Sequence, residues 1–141
     1  MATVGVYREQ ILPRVIDKVC GGADMQRFRD RACAGMRGTI LEIGFGSGLN
    51  VASYPPEVEL VYAVEPAALG QKLAAPRIAK GHARVEHVVL RGESLPLADE
   101  SCDGALSTFT LCTIPGVDAA LAEVMRVLRP GGTFHILEHG I

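Results

Sequence analysis

"LEIGFGSGLN", residues 41–50, is the stretch on which the reading of this chain turns. It opens apolar, passes through Glu42, and then sets Gly44, Gly46 and Gly48 at every second position. Without a β-carbon, glycine lets the backbone pass close to a ligand and enter the φ > 0 region. An apolar run ending in such a turn reads as a buried strand, and a helix is expected to start near Leu49. In an open parallel sheet this loop lies beyond the C-terminal strand ends, where ligands bind.

Working outward, four more apolar runs resemble the first. They are "ELVYAVEP" (59–66), "ARVEHVVL" (83–90), "CDGALSTF" (102–109) and "GTFHILEH" (132–139), with "GTILEIG" (38–44) leading into the loop. Most are apolar over several consecutive residues, as strands covered on both faces are. Helical patterns lie between them, at "AALGQKLAAPRIAK" (67–80) and "VDAALAEVMRVL" (117–128). The second places Val117, Leu121, Val124, Met125 and Leu128 on one face and ends at "RPGG". Strand and helix in alternation predict an α/β fold with a Rossmann-like, doubly wound parallel sheet and helices on both faces.

Residues 1–36 read differently, as an N-terminal helical segment ahead of a sheet domain over 37–141. Ile11, Leu12, Val15, Ile16 and Val19 recur at helical spacing, with Pro13 in an early turn or at a bend. Gly21 and Gly22 stop that helix. Asp24 is a candidate cap for a second one over "MQRFRDRACAG" (25–35), whose arginines are expected on the surface.

Composition narrows the function. The chain has 141 residues, 48% hydrophobic and 21% charged, which suits one compact domain. A formal charge of -2, no Lys/Arg block and no Trp argue against a nucleic-acid partner. The cysteines at 20, 33, 102 and 112 show no C-x-x-C spacing and read as reduced, packed thiols. The first twenty residues contain no apolar run long enough for a signal peptide or membrane span, so a cytoplasmic location is expected.

The glycine spacing separates two nucleotide ligands. A dinucleotide fingerprint is G-x-G-x-x-G, with a pyrophosphate on the helix N-terminus. Here it is G-x-G-x-G, and Glu42 stands two residues before the first glycine. A carboxylate at the mouth of the loop repels a pyrophosphate and suits an ammonium or sulfonium ligand, so the charges favour S-adenosylmethionine over NAD. A second acid, Glu65, ends the second strand, where a carboxylate can accept from both ribose hydroxyls. Gly92 and Glu93 follow the third strand and could face an adenine.

Taken in order, these features resemble the class I S-adenosylmethionine-dependent methyltransferases, in particular the small enzymes of the methyltransferase-like 7 and methyltransferase type 11 kind. The residues carrying the resemblance are E-x-G-x-G-x-G, Glu65, "GESLPL…SCD" and "VMRVLRPGGTFHILEH", with "YREQILPRVID" at the start. It implies a sheet ordered 3-2-1-4-5 and S-adenosylmethionine as cofactor. It implies that Glu42 sits near the methionine end and that Gly44, Phe45 and Gly46 offer backbone there. Glu65 would hold the ribose, and Gly92 with Glu93 would line the adenine. The segment from Thr108 to Leu111 would pass near the methyl group, and Tyr7 is a candidate to close over the site. By the same resemblance the acceptor is a small molecule, with thiols the leading class.

Three positions depart from the family pattern. Arg91 stands where many relatives carry Asp, and Ser47 replaces the commoner Thr. The family fold continues past strand five with a helix and two strands, whereas this sequence stops at Ile141. Strand five is therefore expected as an exposed edge through which two copies could pair. The alternative to an enzyme is a shortened cofactor-binding or dimerisation module of the same fold.

One motif points elsewhere. "HILEH" (135–139) matches the H-x-x-E-H signature of a zinc metalloprotease group. That signature needs a helix, where positions i and i+4 lie about 6 Å apart along the axis. After "RPGGTF" a strand is expected, which separates His135 from His139 by roughly 13 Å. Both cannot then reach one zinc at about 2.1 Å, so no metal site is expected. His139, at the ligand end of strand five, remains a weak candidate to orient or deprotonate an acceptor, and no catalytic residue is otherwise assigned.

Overall fold

The computed structural model describes residues 11, 12, 14, 15, 18, 22–89 and 94–139. Five strands form one all-parallel sheet: β1 (Gly38–Ile43), β2 (Val58–Val64), β3 (Arg84–Val88), β4 (Cys102–Thr108) and β5 (Leu128–Leu137). Their order is β3-β2-β1-β4-β5, as the resemblance implied. The chain steps one way from β1 to β3 and then returns to the other side of β1 for β4. Ligand clefts in such sheets open at that reversal, above the C-terminal ends of β1 and β4.

Among the described residues, three helices cover the sheet: α1 (Ala23–Cys33), α2 (Ala68–Lys80) and α3 (Val117–Val127). The faces separate by strand parity. Ile40 and Leu106 turn toward α1 and α2, packing with Cys33, Met36, Phe45, Val51, Tyr54, Val61 and Ala74. Leu41, Ile43 and Ala105 turn the other way, packing with Val64, Leu95, Val124, Val127 and Leu128. Ile40, Leu41 and Leu106 have no exposed surface. Each such side chain contributes about 1.5–3 kcal/mol through burial. Two steps beyond Ile40 and Leu106 the same parity aims Glu42 and Thr108 at the α1 face.

Four local expectations are corrected. No α-helix starts near Leu49; one 3-10 turn, Val51–Ser53, ends at an extended Tyr54. Pro55 follows Tyr54, and a residue before proline is steered out of the helical region. Asp24 does not cap α1: the helix starts two residues earlier than expected, with Gly22 at the cap and Asp24 in the first turn. Of the arginines on α1, Arg27 and Arg31 are exposed, whereas Arg29 is only 4% exposed. On α3, Met125 is 69% exposed and Val127 is buried instead. The contact stripe runs through Val124, Val127 and Leu128, at i, i+3 and i+4, which turns Met125 outward.

Helix α3 passes into β5 without an intervening loop, and "RPGG" is taken up in an irregular start of that strand. Ahead of α1, Leu12, Arg14, Val15 and Lys18 are helical. Tyr7, Pro13, Ile16, Val19 and Cys20 lie outside the described residues, as do Arg91, Gly92 and Glu93. No helix among the described residues is long and apolar enough to cross a membrane.

Candidate functional site

The backbone leaves the sheet at Ile43, where Gly44 and Phe45 both donate to the Val64 carbonyl at 3.1 Å. Gly44 has φ +70, and a β-carbon there would overlap the Thr110 side chain arriving from the end of β4. Gly46 has φ +58, and its N–H donates to the Glu65 carboxylate at 2.9 Å. Glu65 also accepts the Ala67 N–H at 2.8 Å. The acid at the end of β2 is thereby pinned against the loop that follows β1.

A two-lobed cleft opens over these residues. One lobe, of about 380 Å³, is lined by apolar groups including Ile43, Val64, Pro66, Leu95 and Ile114. The other, of about 240 Å³, is lined by Arg29, Phe45, Ser47, Thr108 and Phe109 among others. Gly44, Glu65, Thr110 and Thr113 line both, so Glu65 stands where the lobes meet. Volumes in this range suit a small-molecule ligand.

The polar lobe rests on a buried hydrogen-bond network. Arg29 donates to Asn50 Oδ1 at 2.9 Å and to Thr108 Oγ1 at 3.2 Å. Asn50 Nδ2 donates to Thr108 Oγ1 at 3.0 Å and also to Glu42, which accepts the Tyr54 hydroxyl as well. Glu42 is 1% exposed and lies behind the cleft wall, not at its mouth. Burial raises its carboxyl to about 7, opposed by the Tyr54 and Asn50 hydrogen bonds and by the Arg29 charge. Burial also drives the Tyr54 hydroxyl well above its ordinary value, with Glu42 adding to the effect.

Phe109, at φ +55, is the strained residue of the site. Its ring lies under the Arg29 guanidinium, 5.5 Å from the centroid, and against the His139 ring at 4.5 Å. A non-glycine residue in the left-handed region costs about 1–3 kcal/mol. Its N–H bond to the Leu137 carbonyl, at 2.7 Å, and this stacking hold it there.

The residues of "HILEH" go to three separate places. His135 lies within β5, bonded to the Ala32 carbonyl and to Thr133. Glu138 accepts the N–H groups of Thr110 and Leu111 at 3.0 and 2.9 Å, anchoring the turn that lines both lobes. His139 stacks on Phe109 and is exposed. No group of three or more His, Cys, Asp or Glu among the described residues could hold a metal ion.

The structure thus gathers Gly44, Phe45, Gly46, Glu65 and Thr108 around one cleft and sets Glu42 one layer behind it. Arg29, Asn50 and Tyr54 also shape the cleft and were not singled out from sequence, whereas Phe109 lies within the Thr108 to Leu111 segment named there. The one signal for Arg29 is its place four residues before Cys33, which puts both on one helix face. Nothing local marks Asn50 or Tyr54.

Residues 41–136 match the family described as methyltransferase domain. The human thiol S-methyltransferase TMT1A is 38% identical over 104 residues, which cover 72% of this chain and 42% of that protein. The ubiquinone/menaquinone biosynthesis C-methyltransferase UbiE of Syntrophotalea carbinolica is 35% identical over 113 residues, covering 78% of this chain and 47% of its own. The chain therefore spans about half the length of the curated relatives it matches. Among solved structures, the YcgJ protein from Bacillus subtilis superposes with a TM-score of 0.69 at 25% identity, over 81% of this chain and 50% of that one. Because the sequence match runs from the glycine loop almost to the end of β5, this chain belongs to the methyltransferase domain family.

Proposed function

We propose that this chain binds S-adenosylmethionine in the two-lobed cleft and transfers its methyl group to a small molecule. The observation that carries this reading is Glu65, an acid at the junction of an apolar and a polar lobe. A carboxylate has about four lone-pair sites, and two backbone N–H groups use only part of that capacity. The rest suits the two hydroxyls of a ribose. Val64, Pro66 and Leu95 form an apolar wall that fits a flat base. Arg29 and Thr108 offer a cation and a hydroxyl to the amino-acid end. NAD fits less well, since the loop leads into a three-residue 3-10 turn and not into an α-helix N-terminus that would hold a pyrophosphate.

When bound, the cofactor supplies an electrophilic methyl group on a sulfonium, open to in-line attack. The chain's own residues hold and orient the two reactants, which is where such a reaction gains most of its rate. Phe109 and Thr110 close the polar lobe, and His139 behind Phe109 is the candidate to orient an acceptor. Thiols are the first acceptor class to screen, following the relatives named thiol S-methyltransferases. The reading includes a cytoplasmic setting, which the thiols of Cys33, Cys102 and Cys112 suit. It also includes pairing of two copies through β5.

Calorimetric titration with S-adenosylhomocysteine, beside NAD, tests the cofactor. Micromolar binding of the first and none of the second is expected. The reverse order, or no binding by the folded chain, removes the reading. Methyl transfer to a thiol panel tests the acceptor separately.

A further inference from the structure

Behind the polar lobe lies a charge that methyl transfer does not use. Glu42 and Arg29 are 1% and 4% exposed, and one side chain joins them. Asn50 donates to Glu42 through Nδ2 and accepts Arg29 at Oδ1. These roles cannot be exchanged while Glu42 is ionised, because a guanidinium has no acceptor and a carboxylate no donor.

The groups around Glu42 come from three elements. Helix α1 brings Arg29 and Cys33, the β1–β2 connection brings Asn50 and Tyr54, and β4 brings Thr108. Burial, then Glu42, pushes the Cys33 thiol up to about 12, and Tyr54 is likewise held neutral. Arg29 is therefore the cation that balances Glu42 from within. It also lines the cleft, where it can balance an anion from outside. The ligand's own ammonium offsets the charge of the carboxylate on the same carbon, but the Arg29 guanidinium is then divided between two carboxylates, and a buried carboxylate that loses part of its partner is costly.

We propose that Glu42 takes up a proton from water when a ligand's carboxylate settles against Arg29, with Asn50 as the connection between them. The affinity of the cleft for such ligands then falls as pH rises above neutrality. Glu42 already lies near that transition, since burial raises it to about 7. The inference rests on the reading of the cleft as a cofactor site with its polar lobe at the amino-acid end.

The test is calorimetry of the full chain with S-adenosylhomocysteine at about pH 6, 7 and 8, in two buffers of unlike ionisation enthalpy. Methylthioadenosine, which keeps the nucleoside and thioether but lacks the carboxylate, runs beside it. Proton uptake with S-adenosylhomocysteine should grow from pH 6 to pH 8, and affinity should fall about tenfold, the equivalent of one pKa unit. Methylthioadenosine should show no uptake, and Glu42→Gln should abolish it for S-adenosylhomocysteine. Heats independent of buffer, or uptake that persists in Glu42→Gln or with methylthioadenosine, overturn the proton linkage and leave the cofactor site standing. No binding at any pH overturns both. Should Glu42→Gln not fold, the contrast between the two ligands on the unaltered chain decides.

Discussion

Glu65 receives the Gly46 N–H at 2.9 Å, so the acid that ends β2 and the glycine loop that follows β1 form one unit. The loop is held in shape by the chain itself, and the cleft-lining acid is bonded to backbone groups that cannot rotate away. Pre-organisation of this kind lowers the ordering cost of binding.

Replacing Glu65 with Ala removes the acceptor at the lobe junction and releases the Gly46 N–H. Hydrogen bonds to a charged group are worth about 1.5–3 kcal/mol, so S-adenosylhomocysteine affinity should fall by roughly ten- to a hundredfold. Calorimetry on the folded variant reads this directly. An unchanged affinity would move the ribose away from Glu65.

Gly44→Ala tests the close approach of the loop to β4. The left-handed backbone costs an alanine about 1–2 kcal/mol, and overlap with Thr110 adds about 1–3 kcal/mol. Urea unfolding should show a loss of several kcal/mol. By contrast, Gly22→Ala meets nothing within 4 Å and should lose no more than about 1 kcal/mol, from the poorer cap of α1.

The raised Glu42 predicts a pH dependence of stability with a definite sign. Its folded value, about 7, exceeds the ordinary carboxyl value of 4.5. Its stabilising contribution is complete below about pH 4.5 and is lost as pH rises through 7. The full change is on the order of 3 kcal/mol at about 1.4 kcal/mol per unit. Urea unfolding at pH 5 and pH 8 should therefore show Glu42→Gln gaining on the unaltered chain at the higher pH. A constant difference between the two would show that Glu42 does not titrate in this range.

Glu123 predicts the opposite sign. Hydrogen bonds from Arg126 and from the Leu95 N–H lower it to about 2 from 4.5. Its contribution is present above about pH 4.5 and is lost as pH falls toward 2. Arg126 also bonds the carbonyls of Leu95 and Leu97, at 3.1 and 2.8 Å, tying the apolar lobe's loop to α3. Acid unfolding followed by circular dichroism should be shallower between those pH values in Glu123→Gln. An identical acid limb in both proteins would dissociate Glu123 from acid stability.

Strand β5 pairs with β4 on one side, and its Ile136 is 51% exposed. Pairing of two copies along this edge should give concentration-dependent sedimentation that Ile136→Lys shifts toward the monomer. A single monomeric species at all concentrations would remove the expectation.

The sequence by itself determined the parallel sheet, its five strands and the loop with its acid. Those features depend on short-range patterns: apolar runs, glycine spacing, an acid at a strand end. Only the tertiary structure decided what Glu42 and Arg29 are. A carboxylate two residues before a glycine loop looks as though it should face the ligand, but strand parity turns it under α1. An arginine on a polar helix looks solvated, but the packing of α1 carries it into the same pocket. Asn50, Tyr54 and Thr108 join them from positions eight to sixty-six residues along the chain from Glu42. Long-range placement of this kind decides burial, and burial decides charge, so the network behind the cleft leaves no local pattern to be read.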